Sequence, residues 1–218
     1  MNPKLNMAIE DFRYLLSRGF RRENGLRIVV DRYTLDQTSR SVLYRAVYDD
    51  ETARSHRLKL VTSDAVSERS LSVDGYNVLI TVESMLRKRP LILCDDGFIR
   101  DVSGIHGKHR LTSYSEHALS LTIGLLTQIR SRQVKFFYDQ QVSRSGELAS
   151  LTRSILEGSG LEGSAETARQ ADNQVLRQGE VVATSDAVLI ERAKQLFDLA
   201  GEVARRNSPT QILSVREL

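Results

Sequence analysis

Three aspartates stand at the ends of short apolar runs: Asp74 after Leu71-Ser72-Val73, Asp139 after Val134-Lys135-Phe136-Phe137-Tyr138, and Asp186 just beyond Val181-Val182-Ala183-Thr184. If these runs are parallel strands of one sheet, their C-terminal ends share an edge, and the three carboxylates meet there despite their separation in sequence. Grouped carboxylates repel one another, and burial raises their pKa values. A bound divalent cation resolves the conflict, and Mg²⁺ or Mn²⁺ suits hard oxygen ligands while keeping some of its waters. Such an ion can supply a nucleophilic water and neutralise charge on a phosphate, so the chemistry that fits is metal-assisted phosphodiester hydrolysis. An aspartate after a strand is also an ordinary helix cap or turn residue. Capping accounts better for any one of the three alone, and metal binding for the set.

The remaining sequence supplies elements able to hold them this way. Leu71 and Val73 read as a strand closing in the turn Asp74-Gly75-Tyr76-Asn77, with Val78, Leu79, Val82, Met85 and Leu86 on one face of a following helix. Pro90 to Cys94 reads as a strand, Asp95-Asp96-Gly97 as a hairpin turn and Phe98 to Arg100 as its return. Residues 115–130 and 146–157 have helical periodicity, Gly158 to Gly163 reads as a loop, and Ile212 to Val215 reads as an edge strand. One long helix is expected from Asp186 to about Arg205, able to pack on the sheet or on another subunit, so a homo-oligomer is left open. Alternating strands and helices give an α/β fold with a mainly parallel sheet covered on both faces.

This α/β domain is expected over residues 69–218, with a hairpin inserted near 90–110, after a small basic helical module over 1–60. In the module, Ile9, Phe12, Leu15 and Leu16 recur at helical spacing before Gly19. Two further short helices follow around Leu26–Val30 and Val42–Val47, the last with Thr38 or Ser39 as N-cap. Residues 1–60 carry twelve Lys/Arg against eight Asp/Glu, Arg13, Arg18, Arg21, Arg22, Arg27 and Arg32 among them. Guanidinium forks suit phosphate. The helices could bind nucleic acid in helix-turn-helix style or serve as a packing appendage, which is favoured because no recognition helix stands out. Residues 50–68 have few apolar anchors and read as a linker or an exposed excursion.

Several of these segments resemble a known family. Asp74-Gly75-Tyr76-Asn77-Val78 is similar to the opening motif of NYN-type PIN-like ribonucleases, and Phe137-Tyr138-Asp139 to their second aspartate-bearing strand. Ala171-Asp172-Asn173-Gln174-Val175-Leu176 followed by Glu180 to Asp186 resembles their closing pattern, in which an acidic residue precedes a strand ending in Thr-Ser-Asp. The resemblance runs from Leu71 to Arg205 and implies a PIN-like three-layer sandwich. It implies Asp74, Asp172 and Asp186 as metal ligands, with Asp139 as a ligand or just outside the ligand set. Asn77 would orient a water or a phosphate, and Thr184 and Ser185 would donate to substrate phosphate or hold Asp186. The implied activity is a Mg²⁺- or Mn²⁺-dependent nuclease acting on RNA, or else a non-catalytic RNA-binding or scaffolding module on the same fold. The sequence departs from the pattern at Gly163–Gln178, short for a helix around Asp172, and at the hairpin of Pro90–Arg110. The whole chain also resembles a prokaryotic family described only as domains of unknown function, with a short N-terminal module before an Asp-Gly-Tyr-Asn domain.

Other residues invite chemistry more weakly. His106 and His109 have the spacing of a helical zinc pair, but their flanking glycines oppose a helix. A basic loop holding His106 and Lys108 suits phosphate or RNA contact, and a solvated loop is the plainer reading. Ser145 is a natural N-cap for the next helix, and with Ser143 could receive a phosphate at that helix's N-terminus. Neither a Ser-His-Asp arrangement nor a P-loop is present. The single cysteine, Cys94, excludes a disulfide or Cys-based zinc site within the chain. Net charge is +3, a mild lean toward polyanions. No apolar run reaches spanning length and no leader pattern opens the chain, so a cytoplasmic protein with no membrane partner is expected.

Overall fold

The computed structural model describes residues 3–102 and 111–218. Four helices open the chain, α1 (Pro3–Ser17), α2 (Arg22–Tyr33), α3 (Gln37–Ala46) and α4 (Asp50–Lys59), and a single turn, α5 (Ser63–Val66), follows. Strands and helices then alternate as β1 (Ser70–Asp74), α6 (Gly75–Leu86), β2 (Leu91–Leu93), β3 (Ile99–Asp101), α7 (Ser113–Gln128), β4 (Gln133–Asp139) and α8 (Ser145–Ser159). The last elements are β5 (Gly163–Ala168), α9 (Ala171–Gln178), β6 (Val181–Ala183), α10 (Ala187–Arg192), β7 (Leu196–Phe197), α11 (Leu199–Asn207) and β8 (Ile212–Ser214).

The main sheet has the order β5-β4-β1-β6-β7, and every pairing in it is parallel. Side chains alternate across a strand, so Leu71, Val73, Val134, Phe136, Tyr138, Val181 and Ala183 reach one face, where they share a core with α6, α7, α8 and α11. Phe137, Val182 and Leu196 belong to a separate core with residues of α9 and α10. Both faces are therefore covered, which is why these strands are apolar on both sides.

The chain runs outward from central β1 through β4 to β5, then returns across to β6 and continues to β7. The order reverses at the β1–β6 pair. From that point α6 leaves toward one face and α10 toward the other, opening a crevice at the strands' carboxyl ends. Asp74 ends β1, and Thr184-Ser185-Asp186 follows β6, so both sit at this reversal.

A second, three-stranded sheet, β3-β2-β8, joins the hairpin antiparallel and the C-terminal strand parallel. Gly97, at φ +86°, closes the Asp95-Asp96-Gly97 turn in a conformation open to glycine. Ile92, Cys94, Val102 and Val215 share a core with Phe12, Leu26, Val29, Leu43 and Ala46, so the N-terminal helices pack on this sheet.

Several expectations need correction. Residues 50–59 are not a linker: Asp49 caps α4 by accepting the Thr52 amide at 2.9 Å, and the helix buries Ala53 and His56. The expected helix from Asp186 to Arg205 is two helices separated by β7. This edge strand pairs with β6, after which Asp198 caps α11 by accepting the Gly201 amide at 3.1 Å. The segment Gly163–Gln178 holds both a strand and a helix. The cap of α3 is Asp36, which accepts the Ser39 amide at 2.7 Å, and not Thr38 or Ser39. Ser145 is the first helical residue of α8 and is buried, while Arg144 stands at the cap in a left-handed conformation.

Candidate functional site

The opening motif is built around Asp74. Its carboxylate ends β1, caps α6 by accepting the Asn77 amide at 3.4 Å, and accepts the Thr184 hydroxyl at 2.9 Å through its other oxygen. Gly75 is required for space: a methyl group there would fall inside the ring of Tyr138, which lies against this turn. Tyr76 meets Tyr138 edge to face at 5.3 Å, and the Tyr138 hydroxyl shares a 2.7 Å hydrogen bond with Thr152. The glycine of one motif and the tyrosine of the other thus interlock, fixing the ends of β1 and β4 relative to each other.

Asn77 ties the first motif to the last. Its Oδ1 accepts both the Ser185 amide, at 2.8 Å, and the Ser185 hydroxyl, at 2.9 Å. Thr184, besides donating to Asp74, accepts the Asp186 amide at 3.1 Å. Asp186 caps α10 through Oδ1, which accepts the amides of Val188 and Leu189 at 2.9 and 3.1 Å. Asp139 accepts the Gln141 amide at 2.8 Å. Asp172 lies in the first turn of α9 and is exposed.

Asp74 and Asp172 carry the electrostatic signature of this edge. Burial, and then Asp186 and Asp172, push the Asp74 carboxyl up to about 7, against the pull of its bonds to Thr184 and Asn77. Asp172 is raised by lost hydration, then by Asp186 and Asp139, with Arg192 acting the other way. Asp74, Asp139 and Asp186 lie at or just past the carboxyl ends of the parallel strands β1, β4 and β6, and Asp172 lies in the first turn of the helix that follows β5. Among the described residues, no three His, Cys, Asp or Glu side chains are grouped closely enough to form a ready-made metal cage. The donor set still fits a hard divalent cation: it is all carboxylate, nearby carboxylates help to raise Asp74 and Asp172, and Mg²⁺ needs only one or two protein carboxylates when water and phosphate complete its shell.

Thr184, Ser185 and Asn77 are buried and bonded to one another or to Asp74, so they hold the site in shape. Ser143 is exposed in the turn before α8. His106 and Lys108 lie outside the described residues. Of the N-terminal arginines, Arg13 is fixed on Asp95 at 3.0 Å and Arg22 on the carbonyls of Tyr44 and Val47 at 2.8 and 2.9 Å. These two brace the fold, contrary to a role on nucleic-acid backbone.

A buried charge system extends beyond the hairpin turn read at Asp95-Asp96-Gly97. Asp96 receives both terminal nitrogens of Arg100, at 2.8 and 2.7 Å, and lies 3.1 Å from His56 Nδ1. Burial opposes its ionisation, but Arg100 and then His56 hold its carboxyl down at about 2. His56 Nε2 meets Glu191 at 2.8 Å, and Arg100 Nε donates to the Ser185 carbonyl at 2.7 Å. The hairpin, α4 and α10 are thereby joined directly behind Asp186. The available signal was a lone histidine on the Ala53-His56-Leu60 stripe of an otherwise polar helix.

Fold and site together define an α/β protein whose parallel sheet carries a carboxylate-lined edge at its point of strand reversal. Residues 63–202 match the family described as Domain of unknown function (DUF5616), and the chain belongs to it. Residues 4–59 match Protein of unknown function (DUF434). The chain is 33% identical over 200 residues to Uncharacterized protein MJ0935 of Methanocaldococcus jannaschii, spanning 91% of this chain and 95% of that protein. No solved structure matches it significantly. No helix among the described residues is long and apolar enough to cross a membrane.

Proposed function

We propose that this protein is a PIN-like, Mg²⁺- or Mn²⁺-dependent nuclease that hydrolyses RNA phosphodiesters at the carboxylate edge. The observation that supports this reading is the placing of Asp74 and Asp186 together at the strand-order reversal, where burial and then the charges of Asp186 and Asp172 push Asp74 to about 7. Asp74, Asp172 and Asp186 would hold the cation, with Asp139 at the margin. When bound, such a cation supplies an activated water and charge neutralisation on phosphate. The chain's own residues orient and tune: Thr184 steers one Asp74 oxygen, Asn77 locks the Ser185 turn, and the Asp74 carboxyl, raised to about 7, gives up its proton to take a cation.

A second reading, a PIN-like RNA-binding or scaffolding module without catalysis, draws support from the capping bonds. Asp74, Asp139 and Asp186 each accept a backbone amide, which is the structural task such residues perform without metal. A cleavage assay on single-stranded RNA with Mn²⁺ separates the two readings. Cleavage by the wild type that is lost in Asp186→Asn supports the nuclease; a folded wild type that binds RNA and leaves it intact supports the module.

A further inference from the structure

Between α3 and the start of α10 lies a cavity of about 380 Å³, lined by Arg40, Tyr44 and Arg45 on one side and by Ser185 and Asp186 on the other, with Arg100 among its walls. Its size suits a small ligand or one unit of a polymer. Arg100 is already engaged by Asp96 and the Ser185 carbonyl. Arg45 is not: its Nη1 is buried without a hydrogen-bond partner, and among the described residues its side chain has no ion pair. Burial pulls its pKa down; Asp101 favours its charge, Arg100 opposes it, and Asp186 favours it to a smaller degree. The Arg45 side chain is partly exposed overall and lines the cavity, and a planar guanidinium fork matches a phosphate. Arg40 adds a second, exposed cation, and Tyr44, 47% exposed, offers a ring face.

We propose that this cavity holds the phosphate of one nucleotide of the substrate strand, with Arg45 as its fixed contact, Arg40 at the mouth and Tyr44 as a stacking face for the base. The choice of a nucleotide over another phosphate compound rests on the nuclease reading above. The N-terminal helices then take a direct part in the site: α3 supplies the phosphate contacts, and the β6–α10 turn brings Asp186 beside them.

The test is binding of a labelled hexaribonucleotide in EDTA, where cleavage plays no part. Arg45→Gln is expected to weaken binding about tenfold or more, and to flatten the dependence of log affinity on log salt by about one. Arg45→Lys should fall between, keeping the charge without the fork. If Arg45→Gln fails to fold, the exposed pair Arg40→Gln with Tyr44→Ala must weaken binding severalfold. Unchanged affinity in a folded Arg45→Gln, unchanged affinity in that pair, or no binding by the wild type overturns the proposal. Arg45-dependent binding by a protein that cleaves no RNA with Mn²⁺ would sink the nuclease reading and leave the cavity standing. Cleavage with affinity indifferent to Arg45 would do the reverse.

Discussion

Replacing Asp74 by asparagine should make the protein more stable at alkaline pH while disabling it. Asparagine keeps the shape, can accept the Asn77 amide, and caps a helix as well as aspartate does. Its amide can donate to the Thr184 oxygen where the carboxylate accepted. What is lost is a charge held where ionisation is disfavoured: the folded carboxyl titrates at about 7 against an ordinary 3.8. A folded pKa raised above the unfolded one means that the fold binds more protons between those values. Stability therefore falls as pH climbs from about 4 through 7 and stays low above that. Taking ~1.4 kcal/mol per pKa unit, the ceiling is roughly 4 kcal/mol, and partial exposure of the group brings the expected gain to about 1–3 kcal/mol. Urea unfolding in EDTA near pH 8 and pH 4 measures it: the variant is more stable at pH 8 and the two proteins converge at pH 4. Saturating Mn²⁺ at pH 8 should raise the wild type toward the variant, since a ligand binding only the fold stabilises it. A variant less stable than the wild type at pH 8, or an equal gap at both pH values, would refute the reasoning.

Other perturbations follow from the packing. Gly75→Ala drives a methyl into the Tyr138 ring and should cost about 1–3 kcal/mol in urea unfolding, with RNA cleavage reduced because the ends of β1 and β4 shift. Gly201→Ala would collide with the Asp198 carboxylate that caps α11, and a loss of about 1–3 kcal/mol is expected, measurable as a lower thermal midpoint. His56→Ala leaves Asp96 short of one partner and opens a cavity behind Asp186, so a loss of roughly 2–4 kcal/mol is expected, whereas Glu191→Gln on the exposed side should cost about 1 kcal/mol or less. The Asp96 carboxyl, held at about 2 by Arg100 and His56 against burial, contributes stability that is present above about 4 and lost as pH falls toward 2. Acid titration of Arg100→Gln should show that loss displaced or removed.

The carboxylate edge was legible because parallel strands announce themselves as apolar runs, and an aspartate closing each run lands on the same edge whatever lies between. The helices α6, α7 and α8 were legible for the same reason of periodicity. Where apolar content was low, the sequence was silent. The helix α4 is secured by Asp49 and by the buried His56 in place of a stripe of leucines, and it read as a linker. The two-residue β7 is too short for a periodic signal, so the apolar positions around it merged into one long helix. Exposed, polar β5 gave little strand pattern, which left Asp172 without a place until its helix was seen. The roles of Asp95 and Asp96 were half visible: Asp-Asp-Gly does make the turn, but Asp95 is buried against Arg13 of α1, a pairing that spacing cannot disclose, and Asp96 against Arg100 of the same hairpin and the distant His56.

The central claim, a divalent cation at the carboxylate edge, is tested most directly by calorimetric titration of Mn²⁺ into the wild type and into Asp74→Asn combined with Asp186→Asn. Saturable binding by the wild type that disappears in the double variant, with the fold unchanged by circular dichroism, is the predicted result. Equal binding by both proteins, or none by a folded wild type, would contradict it.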